Sequence, residues 1–204
     1  MKFGKVGLIG RFKPLHKGAA IMLESVCENS EQLIIGIGSC NKYNSRNPFT
    51  AEESEEMIKL TLKNYANYKV IHIPDFAHIP EYADGGKWRE YVKEKFGNLD
   101  YFVTANPYVA ELLQDSYKIL HPSLIIPKRK HVKLKATQVR LEMALGDSWK
   151  TQVSEEVADY LEKNQIIERF RKEFGLKTIA DLIQNKINLK ENAIEEKNYA
   201  GETR

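Results

Sequence analysis

The chain has 204 residues, enough for one domain, or one domain plus a small helical appendage, with a core that needs no staples. Hydrophobic residues make up 42% and charged residues 29%, as in an ordinary soluble globular protein, and a net charge of +3 gives no reason to expect nucleic acid or a membrane surface as partner. The two cysteines, Cys27 and Cys40, lack metal-type spacing, no signal peptide is visible, and no apolar run approaches the ~20 residues that span a bilayer, so the expected setting is cytoplasmic, with no membrane segment.

Apolar runs alternate with helical patterns along the chain. Val6-Gly7-Leu8-Ile9 reads as a strand, and after a loop with Pro14 and Gly18, Ala20, Leu23 and Cys27 recur at helical spacing within Ala19–Glu28. The continuously apolar stretch from Leu33 to Gly38 is what a strand covered on both faces requires, which favours a parallel sheet. Pro48 marks a boundary, Thr50 with Glu53 fits a capping box, and a helix is expected through Met57, Ile58, Leu62 and Tyr65. Lys69 to Ile73 reads as a strand, Trp88, Tyr91, Val92 and Phe96 form a helical stripe, and Asp100 to Thr104 reads as a further strand. A helix at Val109–Leu113 and a short strand at Tyr117–Leu120 follow. Beyond Pro127 the pattern is helical, at Thr137–Leu145, Glu155–Lys163 and Ile166–Phe174. The expected fold is an α/β doubly wound parallel sheet over residues 1–150, with C-terminal helices and a polar tail over 151–204.

Two stretches carry chemistry. Gly10-Arg11-Phe12-Lys13-Pro14-Leu15-His16-Lys17-Gly18-Ala19 leaves the first strand and opens a helix, the place where α/β sheets take ligands. A helix N-terminus offers free N–H groups to phosphate, Arg11, Lys13 and Lys17 add cations, and His16 can donate to a phosphoryl oxygen. Taken alone, the stretch is also readable as a basic turn. Lys135-Ala136-Thr137-Gln138-Val139-Arg140 opens a second helix, where Thr137 is expected to cap and Arg140 to lie one turn in. The basic run Lys128–Lys135 reads as a solvated loop that adds positive charge, and His72, His78 and His121 show no ligand spacing.

These residues resemble the nucleotidyltransferase superfamily with the histidine-x-glycine-histidine motif. The first histidine and the glycine match His16 and Gly18, while Ala19 stands at the second histidine. The second motif keeps Thr137, Arg140, Gly146, Trp149 and Val153, with Lys135 in place of a serine and Ser154 in place of a proline. Gly36-Ile37-Gly38-Ser39, Asn47-Pro48-Phe49-Thr50-Ala51, Lys87-Trp88-Arg89-Glu90-Tyr91-Val92 and Asp100 to Pro107 make the chain similar to archaeal-type nicotinamide-mononucleotide adenylyltransferases. The resemblance implies a Rossmann-like fold, a homo-oligomer, and transfer of adenylyl from ATP to nicotinamide mononucleotide, with Mg²⁺ carried by ATP and no dedicated metal site. It implies catalytic roles for His16, Arg11 and Arg140. Gly10, Phe12, Lys13, Gly18, Ser39, Asn106 and Thr137 would bind the nucleotide, and Trp88 would border the nicotinamide. A phosphate-binding arginine of the family falls on Ser54, and Arg46 is a nearby cation able to replace it. Ala105 replaces a glycine. These departures leave two alternatives: a degenerate protein that binds NAD or a nucleotide, or a transferase acting on another phosphate acceptor.

Overall fold

The structure, a computed structural model, describes residues 2–181, 183 and 184. Five strands form one parallel sheet: β1 (Phe3–Gly10), β2 (Ser30–Gly38), β3 (Tyr68–Ile73), β4 (Tyr101–Val103) and β5 (Lys118–Leu120), in the order β3-β2-β1-β4-β5. The connecting helices are α1 (Lys17–Asn29), α2 (Ala51–Thr61), α3 (Gly86–Phe96) and α4 (Pro107–Leu113). α5 (Ala136–Leu145), α6 (Glu155–Lys163) and α7 (Ile166–Phe170) follow the last strand. The chain builds outward from β1 through β2 to β3, then crosses back to β4, so the order reverses between β1 and β4. Ligands bind α/β sheets beyond the carboxyl ends of the strands at such a reversal. The doubly wound α/β fold expected from the alternation is the fold observed.

The apolar strands are covered on both sides, as their composition requires. Leu33, Ile35 and Ile37 of β2 join Val6 and Leu8 in a core shared with α1, α2 and α5–α7, whereas Ile34 joins Phe102, Val92 and Phe96 under α3. Gly7 and Gly36 allow that second layer to sit close. A Cβ on Gly7 would lie 2.9 Å from Phe96 Cδ1, and one on Gly36 would lie 2.9 Å from Phe96 Cζ. The larger core runs from Val6 to Phe170, so Trp149, Val153, Leu161 and Phe170, from the helices expected after residue 150 and its border, pack with the sheet.

Element ends differ from the pattern where side chains intervene. α1 begins at Lys17 because His16 caps it. The capping box on α2 is complete: Glu53 N donates to Thr50 Oγ1 at 3.1 Å and Thr50 N donates to Glu53 Oε2 at 2.9 Å. α2 stops at Thr61, and Tyr65 packs against the core from the following turn. The helix expected through Phe174 is regular only to Phe170. Arg171–Gly175 forms a wider π turn, where Arg171 donates to Met143 O at 2.8 Å and Gly146 O at 2.6 Å. Helical backbone resumes over 176–181. No helix among the described residues is long and apolar enough to cross a membrane.

Candidate active site

A cavity of about 390 Å³ opens at the carboxyl ends of β1, β2, β3 and β4. Gly10 and Arg11 line it from β1, Ser39 from the end of β2, Asp75 and Phe76 from the segment after β3, and Asn106 from the segment after β4. Trp88 of α3, half-buried, closes one side with Tyr82 and Tyr108. Phe76 packs against Tyr82 at 4.6 Å between ring centroids, so this end offers flat apolar surfaces suited to an aromatic base. Trp88 also packs against the α3-side core, so it serves both the core and the cavity wall. Asn106 caps α4, accepting from Tyr108 N at 3.0 Å.

Ser39 leaves β2 in the left-handed region at φ 54, a conformation rare for a residue with a Cβ, and its hydroxyl donates to Asp75 Oδ2 at 3.4 Å. Ala77 N donates to Asp75 Oδ1 at 2.9 Å, which fixes the carboxylate at the cavity edge. Strained backbone at the ends of adjacent strands is a feature of ligand sites.

A second cavity, of about 720 Å³, lies between loop residues Ser45 and Arg46, the start of α5, and Thr178 and Asp181 of the C-terminal helical segment. Thr137 and Arg140 line it, as do Lys135 and Gln138. Arg140 is buried. It donates to Lys13 O at 2.8 Å and to Thr137 Oγ1 at 3.3 Å, and burial together with the charges of Arg11 and Arg46 pulls its pKa down to about 10. Burial and the charge of Arg46 also lower the pKa of Arg11, partly offset by Asp75. Arg11, which lines the first cavity, therefore feels the same cationic group as Arg140, which lines the second. The first cavity is aromatic and the second cationic, and the charge of Arg46, which lines the second, reaches Arg11 in the first.

The first motif is built differently from the expectation. Lys13 is buried, with its ammonium donating to Ser39 O at 3.0 Å and Lys42 O at 3.4 Å, so in this conformation it ties the loop after β2 to β1 rather than facing the cleft. Phe12, at φ 52, folds its ring under Gly10, where an added Cβ would lie 2.6 Å from Phe12 Cζ. Its ring fills the core and not the cavity. Gly18 is held against the basic loop: a Cβ there would lie 3.2 Å from Val132 O. His16 Nδ1 accepts from Ala19 N at 3.3 Å, which leaves its proton on Nε2, and burial lowers its pKa to about 4, so the ring is neutral near pH 7. Ala19 packs against the main core.

The second motif also carries a correction. Thr137 does not cap α5. The cap position is Lys135, no side chain bonds to the helix start, and the Thr137 hydroxyl instead accepts from Arg140. Ser54 is fully buried and donates to Thr50 O at 2.9 Å, so position 54 faces the core. Asp75, Phe76, Tyr82 and Tyr108 were not anticipated. Asp75 and Phe76 directly follow a strand that the apolar pattern did locate, and that position at a strand's carboxyl end was the available signal.

The chain matches the cytidylyltransferase-like family over residues 8–141. It is 32% identical over 170 residues to the nicotinamide-nucleotide adenylyltransferase of Pyrococcus furiosus, covering 80% of this chain and 85% of that protein. It is 33% identical over 168 residues to the one of Methanococcus maripaludis strain C6, covering 81% and 92%. In fold it is similar to a bifunctional NMN adenylyltransferase/ADP-ribose pyrophosphatase from Francisella tularensis, solved with AMP and a manganese ion. The TM-score is 0.68 at 20% identity, over 90% of this chain and 56% of that longer one. With its sheet order, its strand-end cleft and these relatives together, the chain belongs to the cytidylyltransferase-like family of nucleotidyltransferases, and within it to the family of the archaeal nicotinamide-nucleotide adenylyltransferases.

Proposed function

We propose that this protein transfers the adenylyl group of ATP to the phosphate of nicotinamide mononucleotide, releasing NAD and pyrophosphate. The observation that carries the reading is a pair of cavities, one aromatic and one cationic. The aromatic one is lined by Trp88 and Arg11 and the cationic one by Arg46 and Arg140, and burial together with the charge of Arg46 lowers the proton affinity of both Arg11 and Arg140. Clustered cations are unfavourable until an anion joins them, and a nucleotide supplies both the base and the anion.

A phosphate oxygen of the mononucleotide attacks the α-phosphorus of ATP, and the bond from that phosphorus to the leaving pyrophosphate breaks. The attacking phosphate is already ionised near neutral pH, so the protein needs no strong base. Its work is alignment and charge neutralisation. Arg11 lines the aromatic cavity and its charge reaches Arg140, which suits it to the α-phosphate. His16 contributes a neutral Nε2–H donor. The free N–H groups at the start of α5 receive phosphate oxygens, with Thr137 and Arg140 beside them. Gly10 and Ser39 border the mononucleotide, Asn106 caps α4 at the cavity edge, and Trp88 lies along the nicotinamide.

The donor is MgATP. The ion would arrive with the triphosphate and keep most of its waters, since Mg²⁺ dehydrates reluctantly. A homo-oligomer and a cytoplasmic setting belong to the same reading. The family resemblance supports the first, and the two free cysteines support the second.

The test is pyrophosphate release by purified protein with ATP, Mg²⁺ and nicotinamide mononucleotide, run beside an Ala19→His variant. Turnover by the unmodified protein is expected, with NAD as product. NAD binding without turnover would replace this reading with that of a binding protein, and turnover in the variant alone would assign the loss to Ala19.

A further inference from the structure

The aromatic cavity carries one charge that the reaction above leaves unused. Of the side chains lining it among the described residues, Arg11 is the only cation and Asp75 the only carboxylate. The Asp75 carboxylate accepts only from neutral donors, the Ser39 hydroxyl at 3.4 Å and Ala77 N at 2.9 Å. It makes no ion pair among the described residues, and its charge reaches Arg11. The neighbouring lysines are engaged elsewhere. Lys13 donates to Ser39 O and Lys42 O, Lys42 meets His78 Nδ1 at 3.2 Å, Lys87 lies 6.0 Å from the centroid of the Tyr82 ring, and none of the three lines the cavity.

The backbone of Asp75 is held by one side chain that pairs with it twice. Asp75 N donates to Asn41 Oδ1 at 2.7 Å, and Asn41 Nδ2 donates to Asp75 O at 3.0 Å. Phe76, next in the chain, packs against Tyr82 and meets Tyr91 edge-on at 5.2 Å. Asp75 is therefore a fixed carboxylate in a cavity walled by Phe76, Tyr82, Trp88 and Tyr108. Such surroundings stabilise a delocalised organic cation: ring faces attract positive charge, and the carboxylate is its counter-ion. The base of nicotinamide mononucleotide is such a cation, because glycosylation of the pyridine nitrogen leaves that nitrogen quaternary. The dihydro form keeps the size, the carboxamide and the phosphate, and loses the ring charge.

We infer that Asp75 is the counter-ion of the pyridinium ring, so that the acceptor is selected by ring charge and the oxidised mononucleotide is bound in preference to its dihydro form. The guanidinium of Arg11 and the carboxylate of Asp75 then match a ligand with one anionic and one cationic end. The inference rests on the adenylyl-transfer reading for the identity of the ligand. It adds a specificity-determining residue and narrows the acceptor to an N-glycosylated pyridinium.

The experiment is calorimetric titration of the full chain, its donor site filled with α,β-methylene-ATP, with nicotinamide mononucleotide and separately with the dihydro form. The proteins are the unmodified chain and the Asp75→Asn and Asp75→Glu variants, each checked for an unchanged melting temperature. Asparagine can keep both hydrogen bonds, its oxygen accepting from Ala77 N and its amide donating to Ser39 Oγ, while the charge is removed. The unmodified chain is expected to prefer the oxidised form by about tenfold or more. Asp75→Asn is expected to weaken the oxidised form about tenfold and to leave the dihydro form within about twofold, and Asp75→Glu to restore part of the preference. A residue that only holds the loop would weaken both ligands alike. Equal affinity of the unmodified chain for the two forms, parallel loss of both in Asp75→Asn, or no binding of either would each overturn the inference. The first of these comparisons needs no variant and decides the matter if Asp75→Asn does not fold. Charge-selective binding by a chain that makes no NAD would keep the inference and remove the transfer reading. Equal turnover and equal binding of both mononucleotides would do the reverse.

Discussion

The two helix starts that carry the motifs are finished in opposite ways. At α1 the motif residues are spent on architecture: His16 caps the helix, Phe12 fills the space under Gly10, and Lys13 ties down the loop after β2. At α5 no side chain caps the helix, Thr137 is exposed, and Arg140 reaches back to Lys13 O. One end is closed by its own side chains, and the other is left without a side-chain cap. The closed end ties the loop after β2 to the end of β1, and the open end keeps its N–H groups free of side-chain partners. Arg140 belongs to both, since one guanidinium nitrogen braces the first motif while the residue lines the cationic cavity.

This contrast can be broken or sharpened by measurement. Arg140→Ala is expected to have the largest effect. It should slow pyrophosphate release by about 10²–10³, the scale of losing one charge-stabilising donor. It should also lower stability by about 1–3 kcal/mol, because Lys13 O is left without its partner. Steady-state kinetics and urea denaturation read the two separately, and a rate loss with unchanged stability would place Arg140 at the open end only.

The next effect is on pH dependence. His16 titrates near 6.5 when exposed and at about 4 in the folded chain. As pH falls from 6.5 to 4 the unfolded chain takes up a proton that the folded one refuses. Stability therefore declines through that window, by up to about 3 kcal/mol, and is complete above it. Denaturation midpoints measured across this range should show the slope in the unmodified chain, and His16→Asn should flatten it.

His16→Asn and His16→Ala separate capping from chemistry. Both are expected to slow turnover. Only alanine should also cost about 0.5–2 kcal/mol, since asparagine still caps. Equal melting temperatures for the two would show that the cap contributes nothing. The smallest effect is expected at Thr137→Ala, a few-fold rise in the KM for ATP with an unmoved melting temperature, because the hydroxyl caps nothing and is exposed. A clear thermal loss there would mean that α5 is closed as well, and the contrast would fail.

Much of this was legible in the residues. The unbroken apolar run from Leu33 to Ile37 announced a strand covered on both faces, and Ile34 against Leu33 and Ile35 shows that double covering. Gly10, Arg11, Ser39 and Asn106 fall at strand ends and line the first cavity, and Thr137 and Arg140 fall at a helix start and line the second, so position along the chain was enough to place them. Phe12 and Lys13 were misread because the turn depends on a phenylalanine in the left-handed region, which no propensity favours. Once Phe12 turns there, its ring and the lysine after it face inward. Thr137 was misread because a threonine near a helix start suits the cap position equally well, and only the backbone shows that Lys135 occupies it. Asp181 was invisible for another reason: its partner Ser45 is 136 residues away, and no local pattern encodes such a contact.

The contacts that hold the turn carrying Arg46, where Arg46 N and Asn47 N donate to Asn44 Oδ1 at 3.0 and 3.1 Å, bear on how the protein is made. Tyr43 meets Glu173 and Phe174, and Glu53 is gripped by Arg169, whose Nη2 donates to Glu53 Oε2 at 2.8 Å across 116 positions of chain. The turn itself emerges early from a ribosome, and the sheet that carries it needs only β1 to β5. The partners that hold the turn come after every strand has been synthesised. Contacts this distant in sequence form late, because the closure entropy of the intervening chain is met before they can contribute. A nascent chain that ends before residue 169 therefore carries both motifs, yet lacks Arg169, Glu173 and Phe174, the residues that hold this turn. The turn is fixed only after the helices that follow the sheet have docked.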